Sequence, residues 1–520
     1  MAVVLGASVQ VASAVAITVT PDVVVHNGED LSAALTGKSN ATVVLDVADK
    51  GETSLSGTVS TTSRLDVREG TLNVGGTLTI NHTNPAGYTT NSIQVSGSGA
   101  TLNVTNGTVT AKGGNGFVQV GGGDGAGSLY LKNATLDANV SLVAGYQKDS
   151  SWDVDGTPTK ILTSTYDSPG SADRYADGEY TSKPVTGSHN RIYGKATIEL
   201  DNSVAKFGSA IFLAEADMTL KNGSSVQVGF SNIDSNAFSI EERANNSAPG
   251  CNLLGRQTGS TTNLNIESGS KLDIVGSLFS GSTGAPATTV NVTISGEGST
   301  LQTSQAIGFG YGQAGDSSAS SSTVVSLTNG GSMVSDTILF GVQVAESKGL
   351  HTVDVDVESA ASITAKDIVI SNGADVTVQG GSLAFSSLDV NGGALTLDND
   401  AMLTINVTEA AGTAITLSGD AALTFVANTI VLVFDELLSV ANPSVQLTWE
   451  LISGIGENDT VNLNGLEILS GTDYVSLSNV KVEKTDGKVV LTATASIPEP
   501  TTATLSLLAL AALASRRRRK

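Results

Sequence analysis

Residues 289–303 read TVNVTISGEGSTLQT, and this stretch decides the fold. Val290, Val292 and Ile294 alternate with Asn291 and Thr293. A period of two puts the apolar residues on one side of a strand and the polar residues on the other. Ser295, Gly296, Glu297 and Gly298 then supply turn chemistry before a second alternating run. The phrase recurs as ATLNVTNGTVTAKG at 100–113, TNLNIESGSKLDIVG at 262–276, TVVSLTNGGSMVSD at 323–336 and DIVISNGADVTVQGGSL at 367–383. A third apolar patch, closed by glycine, lies between the repeats: FVQVGGG at 117–123, SLVAGY at 141–146, AIGFGYG at 306–312 and TILFGV at 337–342.

From 262 to about 371 the unit recurs at roughly 30 residues, enough for three short strands and so for one coil of a β-solenoid. One coil alone cannot bury its apolar face, whereas stacked coils bury it against one another. Asn, Ser and Thr at equivalent turns can then form hydrogen-bonded ladders. The expected fold is therefore all-β: a parallel β-helix of about 13–15 coils, roughly 60–75 Å long at ~4.8 Å per coil.

Composition supports this reading. The chain has 520 residues with 58 Gly, only 15% charged and 4% aromatic residues, and 40% hydrophobic residues. That apolar content can form a core if it is regularly arranged, but the profile is unlike that of an ordinary globular enzyme. The net charge of −23 opposes nucleic-acid binding. Cys251 is the single cysteine, so neither an intramolecular disulfide nor a cysteine metal site can form.

The expected organisation has four parts. Residues 1–16 carry small, apolar residues without a basic start and read as a signal-peptide remnant. Residues 17–426 form the solenoid, interrupted by an insertion at 147–193. Residues 427–496 are sparser in glycine and read as a small β cap, with strands at 475–482 and 488–493 meeting at Asp486-Gly487. Residues 497–520 hold Pro498-Glu499-Pro500, the apolar run TTATLSLLALAALAS at 501–515, and Arg516-Arg517-Arg518-Arg519-Lys520. The run predicts a short hydrophobic helix, with the basic cluster on its cytoplasmic side.

The last part resembles the PEP-CTERM sorting domain. The resemblance rests on Pro498, Glu499 and Pro500, the short apolar run, and the basic tail of Arg516, Arg517, Arg518, Arg519 and Lys520. It implies export, transient anchoring in the inner membrane, processing by an exosortase-type enzyme, and delivery to the cell surface or beyond. The repeats resemble, more diffusely, the strand-loop-strand passenger regions of autotransporters and adhesins. The chain departs from autotransporters in lacking a closing run of amphipathic membrane strands.

No catalytic constellation emerges. His26, His82, His189 and His351 are far apart in the sequence, and Arg and Lys are too sparse to nominate a β-helix lyase or glycosidase site. No cofactor is expected beyond a weakly held Ca²⁺. Asp153-Val154-Asp155-Gly156 begins like a calcium loop without its later acid, and Asp354, Asp356 and Glu358 alternate along one strand face. Trp152, Tyr166, Tyr175, Tyr180 and Tyr193 gather in the acidic insertion. They are candidate glycan-binding residues, because aromatic faces stack on sugars while carboxylates accept from hydroxyls. The expected function is a non-enzymatic, structural or adhesin-like surface solenoid, with extracellular polysaccharide as a candidate partner. A glycan-binding protein is the first alternative and a polysaccharide-active enzyme the second.

Overall fold

The computed structural model describes three short strands, Val15–Ile17, Val23–Val24 and Val43–Leu45, and then residues 52–497 with interruptions. The interruptions are 62–64, 68–69, 82–90, 98, 113–116, 123–124, 146, 150–172, 175–179, 182–190, 194, 209, 230–250, 256–258, 281–287, 311–320, 342–350, 399, 408–410, 427, 435–443, 458, 465, 472–474 and 486. The described residues are all-β, with no helix. The expected hydrophobic helix at 501–515 lies outside them.

The quoted stretch forms strands at Thr289–Ser295 and Thr300–Thr303. Val290, Val292 and Ile294 are buried, while Asn291 and Thr293 are half-buried on the opposite side. Thr289–Ser295 lies parallel between Thr261–Glu267 and Ser321–Thr328, each residue level with its counterpart one coil away. Repeating this arrangement gives a parallel ladder of 14 strands, from Glu52–Leu55 to Thr460–Asn464, which forms the first face of the solenoid.

A second parallel ladder runs from Val15–Ile17 through Thr58–Thr61 to Glu467–Ser470. A third runs from Val23–Val24 through Val43–Leu45 and Leu65–Val67 to Ser444–Ser453. The long strands Ser332–Phe340 and Ser362–Ser371 pass from the second face to the third without a break, which joins those faces into one 30-stranded sheet. Inward side chains from all three faces form one apolar column. Each coil therefore buries its apolar residues on its two neighbours, as the alternation requires.

The corners follow from local chemistry. Between the first and second faces the chain passes through a positive-φ residue, in successive coils Asn106, Asn133, Asn202, Asn222, Ser268, Gly296 and Asn329. Asparagine tolerates this region better than most residues. Just inside it runs a buried serine ladder. Ala134 N–H donates to Ser203 Oγ at 3.0 Å, Ser203 N–H to Ser224 Oγ at 3.1 Å, and Ser224 N–H to Ser270 Oγ at 3.1 Å. Gly269 N–H donates to Ser299 Oγ at 3.0 Å. Each hydroxyl accepts from a turn amide of the neighbouring coil and so helps to satisfy it away from bulk water.

The coil is shorter than the apparent repeat. Asn103 and Asn73 hold equivalent positions 30 residues apart, and Asn291 and Asn263 hold theirs 28 apart. Asn222 and Asp201, however, meet across only 21 residues, and Ser387 and Asp367 across 20. About 20 residues therefore close a coil, and the longer coils carry extra residues between paired strands. The largest excursion contains the expected insertion: Leu129 still pairs with Ile198, and Asn202 still reaches Asn133 across 69 residues. Within it the structure describes two short antiparallel pairs, Gln147–Asp149 with Arg191–Tyr193 and Asp173–Arg174 with Tyr180–Thr181.

The third face is buried on both sides over part of its length, while Ser387–Asn391 alternates. In Ser141–Ala144, Ser277–Ser280 and Ala306–Phe309 every residue is buried, where a one-sided wall would alternate. Its outward column includes Val143, Phe212, Phe279 and Leu339, all at most 8% exposed.

The ends differ from expectation in their boundaries. Val15–Ile17 pairs parallel with Thr58–Thr61, so pairing begins within the expected signal-peptide remnant. At the other end, parallel pairing continues to Glu467–Ser470, past the expected cap boundary at 427. Beyond it Ser476–Thr485 and Lys488–Ser496 pair antiparallel, with Thr485 level with Lys488. Lys488–Ser496 also pairs antiparallel with Ser444–Ser453, which covers the last open edge of the third face.

Candidate functional site

The outward side of the first face carries the most organised polar surface. Its residues come from strands far apart in sequence that the register brings level. One row links Lys195, Asp217, Asn263 and Asn291. Lys195 Nζ lies 2.6 Å from Asp217 Oδ2, Asn263 Nδ2 donates to Asp217 Oδ1 at 2.5 Å, and Asn291 Nδ2 donates to Asn263 Oδ1 at 2.7 Å. Burial opposes ionisation of Asp217, but the hydrogen bonds from Lys195 and Asn263 outweigh it and hold the carboxyl below its ordinary value. Lys195 is correspondingly held above the ordinary lysine value by its bond to Asp217.

A second row lies nearer the N-terminal end. Asn103 Nδ2 donates to Asn73 Oδ1 at 2.9 Å, and Asn73 Nδ2 reaches Glu52 Oε2 at 3.4 Å. These asparagines border an open depression of about 240 Å³ lined also by Ser54, Ser56, Gly75 and Thr105. The next residue along the row is the half-buried Tyr130, followed by Glu199. Lys221 Nζ holds Glu199 Oε1 at 2.7 Å.

The acids singled out from the sequence lie on this same face. Asp354 and Asp356 point outward and Glu358 is exposed just beyond their strand. Asp375 is level with Asp354 on the following coil. Desolvation, together with the like charges of Asp354 and Asp356, pushes Asp375 above the ordinary carboxyl value. Among the described residues no three His, Cys, Asp or Glu side chains are grouped so as to hold a metal ion.

Of the candidate glycan residues, Trp152, Tyr166 and Tyr175 lie outside the described residues. Tyr180 and Tyr193 are placed by backbone only, in the two short antiparallel pairs. The structure does not bring the five together into a described site. Pro498, Glu499, Pro500 and the basic tail also lie outside the described residues, as do Asp153 and Asp155. So do His26, His82 and His189, while Cys251 is placed by backbone only, opening the strand Cys251–Leu254. No described helix is long and apolar enough to cross a membrane. The residues that sequence reasoning missed are Asn73, Asn103 and Tyr130. Their signal is the recurring Leu-x-Val/Leu frame around them, which fixes one register position per coil.

His351 opens the first-face strand of its coil. Its Nδ1 is buried and finds no partner among the described residues, and burial pushes its pKa below the ordinary 6.5. The unfolded imidazole binds a proton more readily than the folded one. This contribution is therefore fully present above about pH 6.5 and is lost as pH falls through the folded-state value. Urea midpoints should fall between about pH 7.5 and 5.5, and fall less in His351→Ser, since Ser321 holds this position one coil earlier. An identical pH response in the two proteins would refute the assignment.

Comparison with family models, curated proteins and solved structures finds no match for this chain. The class is therefore defined by the fold itself: a three-faced parallel β-solenoid.

Proposed function

We propose that this chain is an exported, non-enzymatic β-solenoid displayed at the cell surface in a structural or adhesin-like role, with its C-terminal tail processed by an exosortase-type enzyme. The observation that carries the reading is the order of three signals at 497–520: Pro498-Glu499-Pro500, the apolar run 501–515, and Arg516 to Lys520. A proline-flanked, extended peptide beside a short membrane segment suits a processing enzyme. The basic cluster holds the segment's far end in the cytoplasm until cleavage. A long stacked scaffold with a strongly acidic body suits display beside extracellular polysaccharide and disfavours nucleic acid.

Deleting 498–520 from the full chain should remove most of the surface-exposed fraction, as measured by protease shaving and fractionation. The C-terminal peptide of the mature wild-type protein should end near Pro498 by mass spectrometry. An unchanged surface fraction, or a mature protein retaining Arg516–Lys520, would overturn the reading.

A further inference from the structure

We infer that the depression over the first three coils, together with Tyr130 beside it, is a binding site for an uncharged polysaccharide chain. The inference goes beyond the sorting reading and does not depend on it, because binding is measurable on the purified chain.

Ser54, Ser56, Asn73, Asn103 and Thr105 bring hydroxyls and amides to a depression of about 240 Å³ whose wall is completed by Leu55, Val74 and Gly75. The asparagines are positioned before any ligand arrives. Asn103 donates to Asn73 at 2.9 Å, and Thr105 Oγ1 donates to Asn103 Oδ1 at 3.3 Å. An amide carries two N–H donors and two lone pairs, and the ladder uses one of each on Asn73 and on Asn103. The remaining donor and acceptor on each amide match sugar hydroxyls, which both give and take hydrogen bonds.

Tyr130 is level with Asn103 on the next coil and half-buried. Its ring adds an amphipathic aromatic surface, apolar in body and polar at its tip, suited to the C–H face of a sugar. Successive rungs are about 4.8 Å apart, so the row presents groups along a line and favours a linear ligand lying along the solenoid. Glu52 borders one end of the row and the Lys221-paired Glu199 the other, on a chain of net charge −23. That field repels polyanions and selects a neutral polymer.

Gly75 permits a test that keeps the fold. A Cβ built there meets only the carbonyl oxygens of Thr105 and Leu55, at 3.8 and 3.9 Å. Gly75→Leu should therefore fill the depression at little cost in stability. The full chain should be screened on an array of neutral glucans, mannans and galactans and of uronate oligomers, and the best neutral oligosaccharide then titrated by calorimetry. Neutral glycans should bind and uronates should not. Gly75→Leu and Tyr130→Ala should each weaken binding by about tenfold or more, with wild-type melting temperatures. Absence of neutral-glycan binding at millimolar ligand, a preference for uronates, or wild-type affinity in both variants would each overturn the proposal.

Discussion

Phe340→Ala should lower the stability of its coil by about 3–5 kcal/mol, the usual result of removing a fully buried aromatic side chain. Phe340 is 0% exposed and stacks on Phe309 of the preceding coil, with ring centroids 6.2 Å apart and planes 17° from parallel. Ile370 lies level with Phe340 on the following coil. The cavity would therefore sit between two neighbours that the backbone ladder holds in place, and neither can move in to fill it. Because each coil contacts chiefly its neighbours, the damage should be local. Hydrogen exchange should accelerate in Ala306–Phe309, Ser332–Phe340 and Ser362–Ser371 before it does so in Thr71–Val74. Urea unfolding should become broader or biphasic. A cycle with Phe309→Ala should give a coupling of about 0.5–1.5 kcal/mol. A loss below about 1 kcal/mol in Phe340→Ala would contradict the stack.

The second large effect is expected at a corner. Gly145 has φ +67° and Gly223 has φ +75°, so alanine is strained at both. The surroundings separate them. A Cβ on Gly145 would overlap the backbone of Glu215, whereas one on Gly223 meets nothing within 4 Å. Gly223→Ala should then cost only the left-handed penalty of about 1–2 kcal/mol. Gly145→Ala must also push two coils apart, straining the bonds from Gly145 N–H to Val120 O at 2.9 Å and from Glu215 N–H to Gly145 O at 3.4 Å. Its destabilisation should be at least about twice that of Gly223→Ala in matched chemical denaturation. Equal losses would mean that the close approach at Gly145 does not exist in solution.

These two sites also show what the sequence reveals and what it hides. The strands are legible because their alternation is local: Val290, Val292 and Ile294 are read without knowing any partner. The glycine-closed patches SLVAGY and AIGFGYG likewise announce the third face, and both Gly145 and Gly310 adopt positive φ there. The hairpin at Asp486-Gly487 follows from turn chemistry alone. The coil length is hidden, because corner excursions add residues without changing which rungs pair. The extent of the last coils is hidden too, since Thr429–Val433 is compactly apolar and lacks the glycine punctuation of the earlier repeats, yet it pairs parallel on both sides.

The depression is the least legible feature. Asn73, Asn103 and Tyr130 sit in the same Leu-x-Val/Leu frame, but only the register brings them level with one another and with Ser54. The aromatic-rich insertion at 147–193 stands out in composition and draws the eye instead. Its two ends leave from and return to neighbouring coils whose pairing it does not disturb.

That tolerance gives the fold a geometry that residue count does not control. Fourteen first-face rungs span about 60 Å at ~4.8 Å each, whatever is threaded out at the corners. The solenoid is a rod whose length is set in whole coils. Glu52–Leu55, Thr71–Val74 and Ala100–Thr105 stand near its N-terminal tip, and the hairpin Ser476–Ser496 stands at the opposite end. Losing or duplicating one coil would shift the tip by a single step while leaving every other rung in register.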